Sequence, residues 1–196
     1  MYAVIAEDRS DVSTLKVLIR RLANDQGVRI QGKGYDGCAQ MLRKGAAQLN
    51  MFSRPPMSCK RFVVCYDSDR SPPNDRANEV ISKVIIPSGV DGSFCVVIPV
   101  EELEAWILAD LQAVSRVIKS WNPDQNFPNP ERERDPKEMI ERLSRDSARK
   151  PRYSHAVHNE KVAAHLDLGR VADKCPSFIP LAMFVQKGVA NCGITR

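Results

Sequence analysis

The stretch from residue 62 to residue 70, Phe-Val-Val-Cys-Tyr-Asp-Ser-Asp-Arg, constrains the fold more than any other part of the chain. Its first five residues are mostly β-forming, which predicts a buried strand. The prolines at 72 and 73 cannot extend a strand, so Asp67 and Asp69 are expected at its carboxyl end. Alternate residues of an extended chain point the same way, so both carboxylates should face one side. Because like charges repel, this pair predicts a site for a hard divalent cation.

Two other apolar runs, at residues 3–6 and 94–98, also lead into acidic residues. Strands that alternate with helices predict an α/β fold, in which a mostly parallel sheet is flanked by helices. Ligands of such sheets bind outside the carboxyl ends of the strands. If the three strands are neighbours, their acids converge at one edge of the sheet. The acids that follow the two additional runs are Glu7, Glu101, Glu102 and Glu104.

Apolar residues at helical spacing predict the remaining elements. Ser10 or Asp11 is expected to cap the first helix, and residues 28–30 form a weak strand candidate, with turns at Gly32 and Gly34. Later helices are predicted over residues 38–49, from 74, over 101–111, from 136, over 159–168 and up to 187. We expect an α/β core over residues 1–120 and a helical extension over 121–196, packed on the core as one compact unit.

Composition and charge narrow the class of protein. The chain has 196 residues, 43% of them hydrophobic, and no apolar run approaches the roughly 20 residues of a membrane span. The N-terminus has no basic leader and the six cysteines form no CxxC pair, so we expect reduced thiols in a cytoplasmic protein without a membrane anchor. The net charge of +5 is weak evidence for a polyanionic partner.

Basic residues crowd into one segment of the C-terminal half. This segment predicts either a nucleic-acid surface or a solvated face with interspersed acids. Its members are Arg132, Arg134, Lys137, Arg142, Arg145, Arg149, Lys150 and Arg152.

The helix predicted over residues 101–111 is apolar almost all round, yet it carries Glu104 and Asp110. Acids on a buried helix need a partner or a metal, so each is either in a salt bridge or cap, or a ligand. Arg70, next to the acid pair, could meet a phosphate or form a salt bridge with Asp67 or Asp69.

With Glu7 after the first strand and Asp67-Ser68-Asp69 after a later one, the chain resembles a TOPRIM domain, the catalytic fold of topoisomerases, primases and overcoming-lysogenization-defect nucleases. The segment Glu104-Ala105-Trp106-Ile107-Leu108-Ala109-Asp110 resembles the E-x-W-L-L-A-D signature of small TOPRIM-like proteins of unknown function, often encoded beside an ATPase in bacterial defence or mobile loci. That family usually begins E-G-x-x-D, whereas this chain has Asp8 in place of the glycine.

The resemblance implies a TOPRIM-like, Rossmann-like fold and a metal-dependent nuclease that cleaves DNA or RNA, the effector of a defence or mobile-element system. It implies catalytic Glu7, Asp67 and Asp69, which would hold Mg²⁺ or Mn²⁺ together with Glu104 and Asp110. Substrate would be bound by Arg70, Asp11, Arg149, Lys150 and Arg152. An ATPase partner and a homodimer remain open.

Other classes of protein fit parts of the pattern. A catalytically silent TOPRIM-like subunit that binds a partner or acts as a sensor is the main alternative. A D-x-D at a strand end also occurs in nucleotide-sugar glycosyltransferases, which leave Glu7 unexplained, and receiver domains need a late lysine that has no candidate here. A zinc site at His155, His158 and His165, with Cys175 or Cys192, has little support from spacing.

Overall fold

In the computed structural model, which describes residues 1–190 and 192, a four-stranded parallel sheet forms the centre of the protein. Its strands lie in the order β2-β1-β3-β4. Their bounds are Tyr2–Ala6 for β1, Ile30–Gly34 for β2, Arg61–Cys65 for β3 and Ser93–Val97 for β4. The α/β fold class and the parallel sheet predicted from the sequence are therefore confirmed.

The strand order places the three acid-terminated strands side by side. From β1 the chain first forms β2 on one side and then returns to form β3 on the other, pairing Ala3 with Phe62. The order therefore reverses between β1 and β3, and open parallel sheets bind ligands at such a switch point. The condition that the sequence left open, that these three strands are neighbours, is met.

Helices cover both faces of the sheet. They are α1 (Arg9–Leu22), α2 (Cys38–Ser53), α3 (Pro73–Val80), α4 (Ile86–Ser88), α5 (Glu104–Ala109), α6 (Pro136–Leu143), α7 (His155–Ala163), α8 (Leu168–Lys174) and α9 (Ile179–Lys187). A π-helical segment (Ile81–Ile85) joins α3 to α4, and 3-10 turns occupy Leu111–Arg116, Pro130–Arg132 and Pro176–Phe178.

Alternation along the strands divides the core into two layers. Val4 and Val63 face one layer, which contains α1, α5 and the helices after residue 135, whereas Ile5 and Val64 face the layer formed with α2 and α3. The C-terminal helices thus share a hydrophobic core with α1 and the sheet. The domain boundary at residue 120 stays a prediction.

Strand β2 differs from its prediction, because Gly32 and Gly34 lie inside the strand rather than in turns. A Cβ on Gly32 would lie 2.5 Å from the Val12 side chain, and one on Gly34 would lie 2.4 Å from the Asp8 carbonyl oxygen. Glycine in a strand often marks such a close approach of another segment. Here it lets the start of α1 sit directly against β2.

The predicted helix over residues 159–168 is wrong in its bounds. The chain instead forms α7 from His155 and a separate α8, at whose start the Asp167 carboxylate accepts hydrogen bonds from the N–H groups of Gly169 and Arg170. A capping carboxylate at this position begins a new helix rather than continuing the old one. The predicted end of the last helix, before Gly188, is confirmed by its left-handed conformation (φ 65°).

Within the described residues, every helix is too short or too polar to span a membrane.

Candidate functional site: an acidic cavity at the switch point

The ends of β1 and β3 meet through a direct hydrogen bond. The backbone N–H of Asp67 donates to Oε1 of Glu7 at 3.0 Å, so the first residues after these two strands lie on the same rim of the sheet. The parallel pairing of β1 with β3 fixes this meeting, because Ile5 stands opposite Val64. Glu7 and Asp67 are brought together at the switch point, as the sequence predicted.

The start of α1 adds acids from the same side. Asp8 is the N-cap, and its Oδ1 accepts a hydrogen bond from the N–H of Asp11 at 2.9 Å, so the predicted cap at Ser10 or Asp11 is wrong. A carboxylate is favoured here because the first N–H groups of a helix lack partners. Asp11, predicted to bind substrate, is only 7% exposed and lies inside the acidic cluster.

The loop after β3 departs from the extended chain that the sequence predicted. The strand ends at Cys65, and Asp69 and Arg70 have left-handed backbones (φ 44° and 64°). Asp69 is therefore exposed at the rim, while Asp67 is half-buried. The buried Ser68 hydroxyl accepts the N–H of Glu101 at 2.7 Å, which ties this loop to the one after β4.

Together these segments form a cavity of about 310 Å³. Lys137 and His155 also line it, and Lys137 contributes its charge through a 2.7 Å contact between its Nζ and Glu102 Oε1. The seven acids that line the cavity are Glu7, Asp8, Asp11, Asp67, Asp69, Glu102 and Glu104.

The electrostatics of the cavity disfavour so many ionised acids. Burial raises the pKa of Glu7 to about 7, and the charge of Asp69 adds to this rise, while the hydrogen bond from the Asp67 N–H opposes it. Burial also raises the pKa of Asp67 well above its usual range, reinforced by the charges of Asp11 and Glu104. Partial burial and crowding of like charges both act against ionisation. A bound cation would reverse this balance.

Glu104 is fixed by a chain of buried polar groups. It is 4% exposed, and its Oε1 accepts a hydrogen bond from Asn159 Nδ2 at 2.9 Å. The Asn159 side-chain oxygen in turn accepts a hydrogen bond from the Tyr153 hydroxyl. Burial raises the pKa of Glu104, while the Asn159 hydrogen bond opposes that rise. Sequence reasoning missed Asn159, and its only signal was a polar residue on the inward face of an otherwise misplaced helix.

Asp110 borders a different cavity, and its role as a metal ligand stays a prediction. Its Oδ2 accepts the N–H of Asp167 at 2.8 Å, and its Oδ1 pairs with Arg170 Nη1 at 2.9 Å. Both oxygens therefore anchor the start of α8. Because α5 ends at Ala109, Asp110 lies just beyond the helix, where it contacts Asp167 and Arg170.

Of the residues predicted to bind substrate, Asp11 lines the cavity, whereas the four basic ones lie outside it. Arg70 pairs with Asp135 at 2.6 Å, rather than with Asp67 or Asp69, and both members of the pair are exposed. The Asp135 side chain makes no capping hydrogen bond to the start of α6. The N–H of Lys137, in the first turn of α6, donates instead to the Glu102 carboxylate at 3.0 Å. This arrangement places a guanidinium group beside the acidic rim.

Arg149 and Lys150 lie on an exposed turn closed by an antiparallel bridge between Arg145 and Pro151. Arg152, at the base of this turn, donates from its guanidinium to the Ser120 carbonyl oxygen. These basic side chains do not line the acidic cavity, but the turn leads within a few residues to His155, which does.

The histidines do not gather into a zinc site. His155 lines the acidic cavity, with its Nδ1 buried and lacking a hydrogen-bond partner among the described residues. The Nδ1 of His158 lies 3.0 Å from the N–H of Ser154, and the exposed His165 borders a different cavity. Cys175 is a free, buried thiol.

In the described part of the chain, no three acid, histidine or cysteine side chains stand arranged as a ready-made ion site. The acidic cavity gathers seven carboxylates around one space. The donors fit Mg²⁺ or Mn²⁺ in kind, since hard cations prefer carboxylate oxygens.

The fold and the site define an α/β protein with a carboxylate-lined cavity at the switch point of a parallel sheet. The chain belongs to the family described as a domain of unknown function (DUF4276), which matches residues 6–184. No curated protein and no solved structure matches the chain. The family match runs from the last residue of β1 into α9, so it covers every residue of the acidic cavity.

Proposed function

We propose that this protein is a metal-dependent nuclease that hydrolyses phosphodiester bonds of DNA or RNA. The observation that best supports the proposal is the hydrogen bond between Glu7 and the N–H of Asp67 at the switch point, inside a cavity lined by five further carboxylates. A TOPRIM-like relationship to overcoming-lysogenization-defect nucleases, a cytoplasmic location and a role in bacterial defence or mobile elements belong to the same proposal.

The residues that would hold the ion are Asp67, Asp69 and Glu104, and Glu7 would either share an ion or move a proton. When bound, Mg²⁺ or Mn²⁺ supplies positive charge that neutralises the carboxylates and polarises a substrate phosphate. The loops after β1 and β3 and the helix α5 present these acids from separate segments. The chain can therefore surround a phosphate without any one segment supplying the whole site.

Glu7 is the acid best placed to move a proton. Its Oε1 is engaged by the Asp67 N–H, so Oε2 is the atom that would accept a proton from an attacking water. Burial raises its pKa to about 7 in the metal-free protein, and a bound cation would favour the ionised form that can accept a proton. Burial also raises the pKa of Asp67 well above its usual range, and a bound cation would favour its ionised form.

The basic turn that carries Arg149 and Lys150 supports a nucleic-acid substrate. Backbone hydrogen bonds from Asp146 N–H to the Lys150 carbonyl and from Arg149 N–H to the Asp146 carbonyl shape this turn, so its cations project from a defined loop. Cations of this kind contact phosphates without reading sequence. Arg70, beside the acidic rim, would contact the phosphates nearer the cleavage point.

A silent subunit that binds an ATPase partner is the second candidate. The arrangement of the acids around the cavity, without a ready-made ion site among the described residues, favours it. A silent subunit requires the fold and a surface that binds its partner, but it requires neither metal binding nor hydrolysis.

The experiment combines thermal unfolding with a cleavage assay. Wild-type protein is titrated with Mn²⁺, and labelled single-stranded and duplex DNA and RNA are incubated with and without the ion. A ligand present at 100 times its Kd stabilises the folded state by about 2.7 kcal/mol, which is measurable as a rise in Tm. We expect Asp67→Asn to lose both the Mn²⁺-induced rise and the cleavage.

Asp91→Asn is the matched control. Asp91 is an exposed acid that precedes β4, at the opposite end of the sheet from the cavity. This variant should keep both properties. If the wild-type protein neither binds Mn²⁺ nor cleaves any of the four substrates, the nuclease proposal fails and the silent subunit is favoured.

A further inference from the structure

We infer that Asn159 and Tyr153 are positioning residues that hold Glu104 as a ligand of the acidic cavity, while Asp110, the other acid of the same helix segment, only anchors α8. The inference rests on the proposed metal site. It assigns different roles to two acids that the sequence could not distinguish.

The side chains behind Glu104 are buried. Asn159 and Tyr153 are 0% and 1% exposed, so neither can gain hydrogen bonds from bulk water. Asn159 Nδ2 donates to Oε1 of Glu104, and its side-chain oxygen accepts from the Tyr153 hydroxyl. The ionised Glu104 carboxylate can only accept, so it sets the amide orientation by requiring the Asn159 NH₂ group to face it, and the Asn159 oxygen is left to accept from the Tyr153 hydroxyl.

The hydrogen bond from Asn159 leaves the second carboxylate oxygen of Glu104 available to the cavity. Only Oε1 of Glu104 is engaged by Asn159, and Glu104 lines the cavity with Glu7 and Asp67. Its charge also raises the pKa of Asp67, so the two carboxylates lie close enough to interact. Asp110 has both oxygens engaged by α8 and does not line this cavity. Of these two acids, therefore, only Glu104 can offer an oxygen to an ion there.

The hydrogen-bonded side chains behind Glu104 are attached to the basic turn through Ser144. The buried Ser144 hydroxyl accepts the N–H groups of both Arg152 and Tyr153, at 3.1 and 3.0 Å. The turn between Ser144 and Arg152 is thus tied at its base to the residue that orients Asn159. Polar groups behind a ligand commonly fix its orientation in this way.

The test measures Mn²⁺ affinity directly, by electron paramagnetic resonance of free Mn²⁺, together with the Tm in EDTA. Removing a group that orients a ligand typically weakens metal binding about 10–100-fold. We expect Asn159→Ala to weaken Mn²⁺ binding by about that factor, and Tyr153→Phe, which acts through Asn159, to weaken it less. Glu104→Gln should weaken it at least as much as Asn159→Ala.

Two control variants separate positioning from folding. Ser177→Ala removes the 2.8 Å hydrogen bond from Trp106 Nε1 on the same helix, and Asp110→Asn weakens the anchor of α8. Both can lower the Tm, but neither should change Mn²⁺ affinity. Crystals of Tyr153→Phe would confirm that the fold is retained if the alanine variant fails to fold.

The outcomes distinguish the two proposals. If the wild-type protein does not bind Mn²⁺, the proposed metal site itself fails. If it binds Mn²⁺ and the Asn159 and Tyr153 variants bind it with wild-type affinity, only the positioning role is overturned. A loss of affinity in Asp110→Asn equal to that in Glu104→Gln would also overturn it.

Discussion

Replacing Glu7 with glutamine should stabilise the metal-free protein at alkaline pH. Glutamine can still accept the Asp67 N–H through its side-chain oxygen, but it carries no charge. In the folded protein the Glu7 pKa is raised from 4.5 to about 7, so between these values the folded state binds more protons than the unfolded state. Wild-type stability must therefore fall as the pH rises through this window.

The size of the effect follows from that pKa. A change from 4.5 to about 7 corresponds to about 3 kcal/mol, since one pKa unit is worth about 1.4 kcal/mol. Glu7 is only half-buried, and solvent screening reduces the expected gain to about 1–2 kcal/mol. For a chain of this length that gain is a rise in Tm of about 2–8 °C.

The assay is thermal unfolding in EDTA at pH 4.5, 6, 7 and 8, with Asp91→Asn as the control for a lost surface charge. The advantage of Glu7→Gln should be near zero at pH 4.5, grow as the pH rises through 7 and then level off. A variant that is less stable than wild type at pH 8, or an advantage that does not change with pH, would refute the claim that the acids of the cavity destabilise the metal-free fold.

Three further predictions test other parts of the structure. Gly34→Ala should lower the free energy of unfolding by about 1–3 kcal/mol, measured by urea denaturation, because the added Cβ meets the backbone at the start of α1; wild-type stability would contradict this. The double variant Arg149→Ala/Lys150→Ala should lower the slope of log affinity for DNA against log salt by about 2, and an unchanged slope would remove the turn from the substrate surface. Arg170→Ala should destabilise the fold by about 1–3 kcal/mol, because it removes a partner of the buried Asp110, while Mn²⁺ affinity stays unchanged.

The sheet and the meeting of its acids could be predicted because they follow from local patterns. A β-forming run that stops at prolines identified the end of β3, and parallel strands place their carboxyl ends together, which brings Asp67 to Glu7. The order of the strands could not be predicted from the sequence. That β1 and β3 are neighbours is known only from their pairing in the structure.

Other features depended on contacts between distant segments. The sequence predicts turns at Gly32 and Gly34 because it does not show that α1 packs against β2. Glu104 and Asp110 were equivalent in the sequence until Asn159 and Arg170, about 55 and 60 residues away in the chain, were seen to contact them. Arg70 was expected beside its neighbouring acids, but its partner is Asp135.

The most direct test of the acidic cavity as a cation site is anomalous diffraction at the manganese edge from crystals soaked in Mn²⁺. We expect a peak between the carboxylates of Glu7 and Asp67, at the switch point between β1 and β3. Crystals that show no peak there at saturating Mn²⁺, or a peak only at Asp110, would contradict the account.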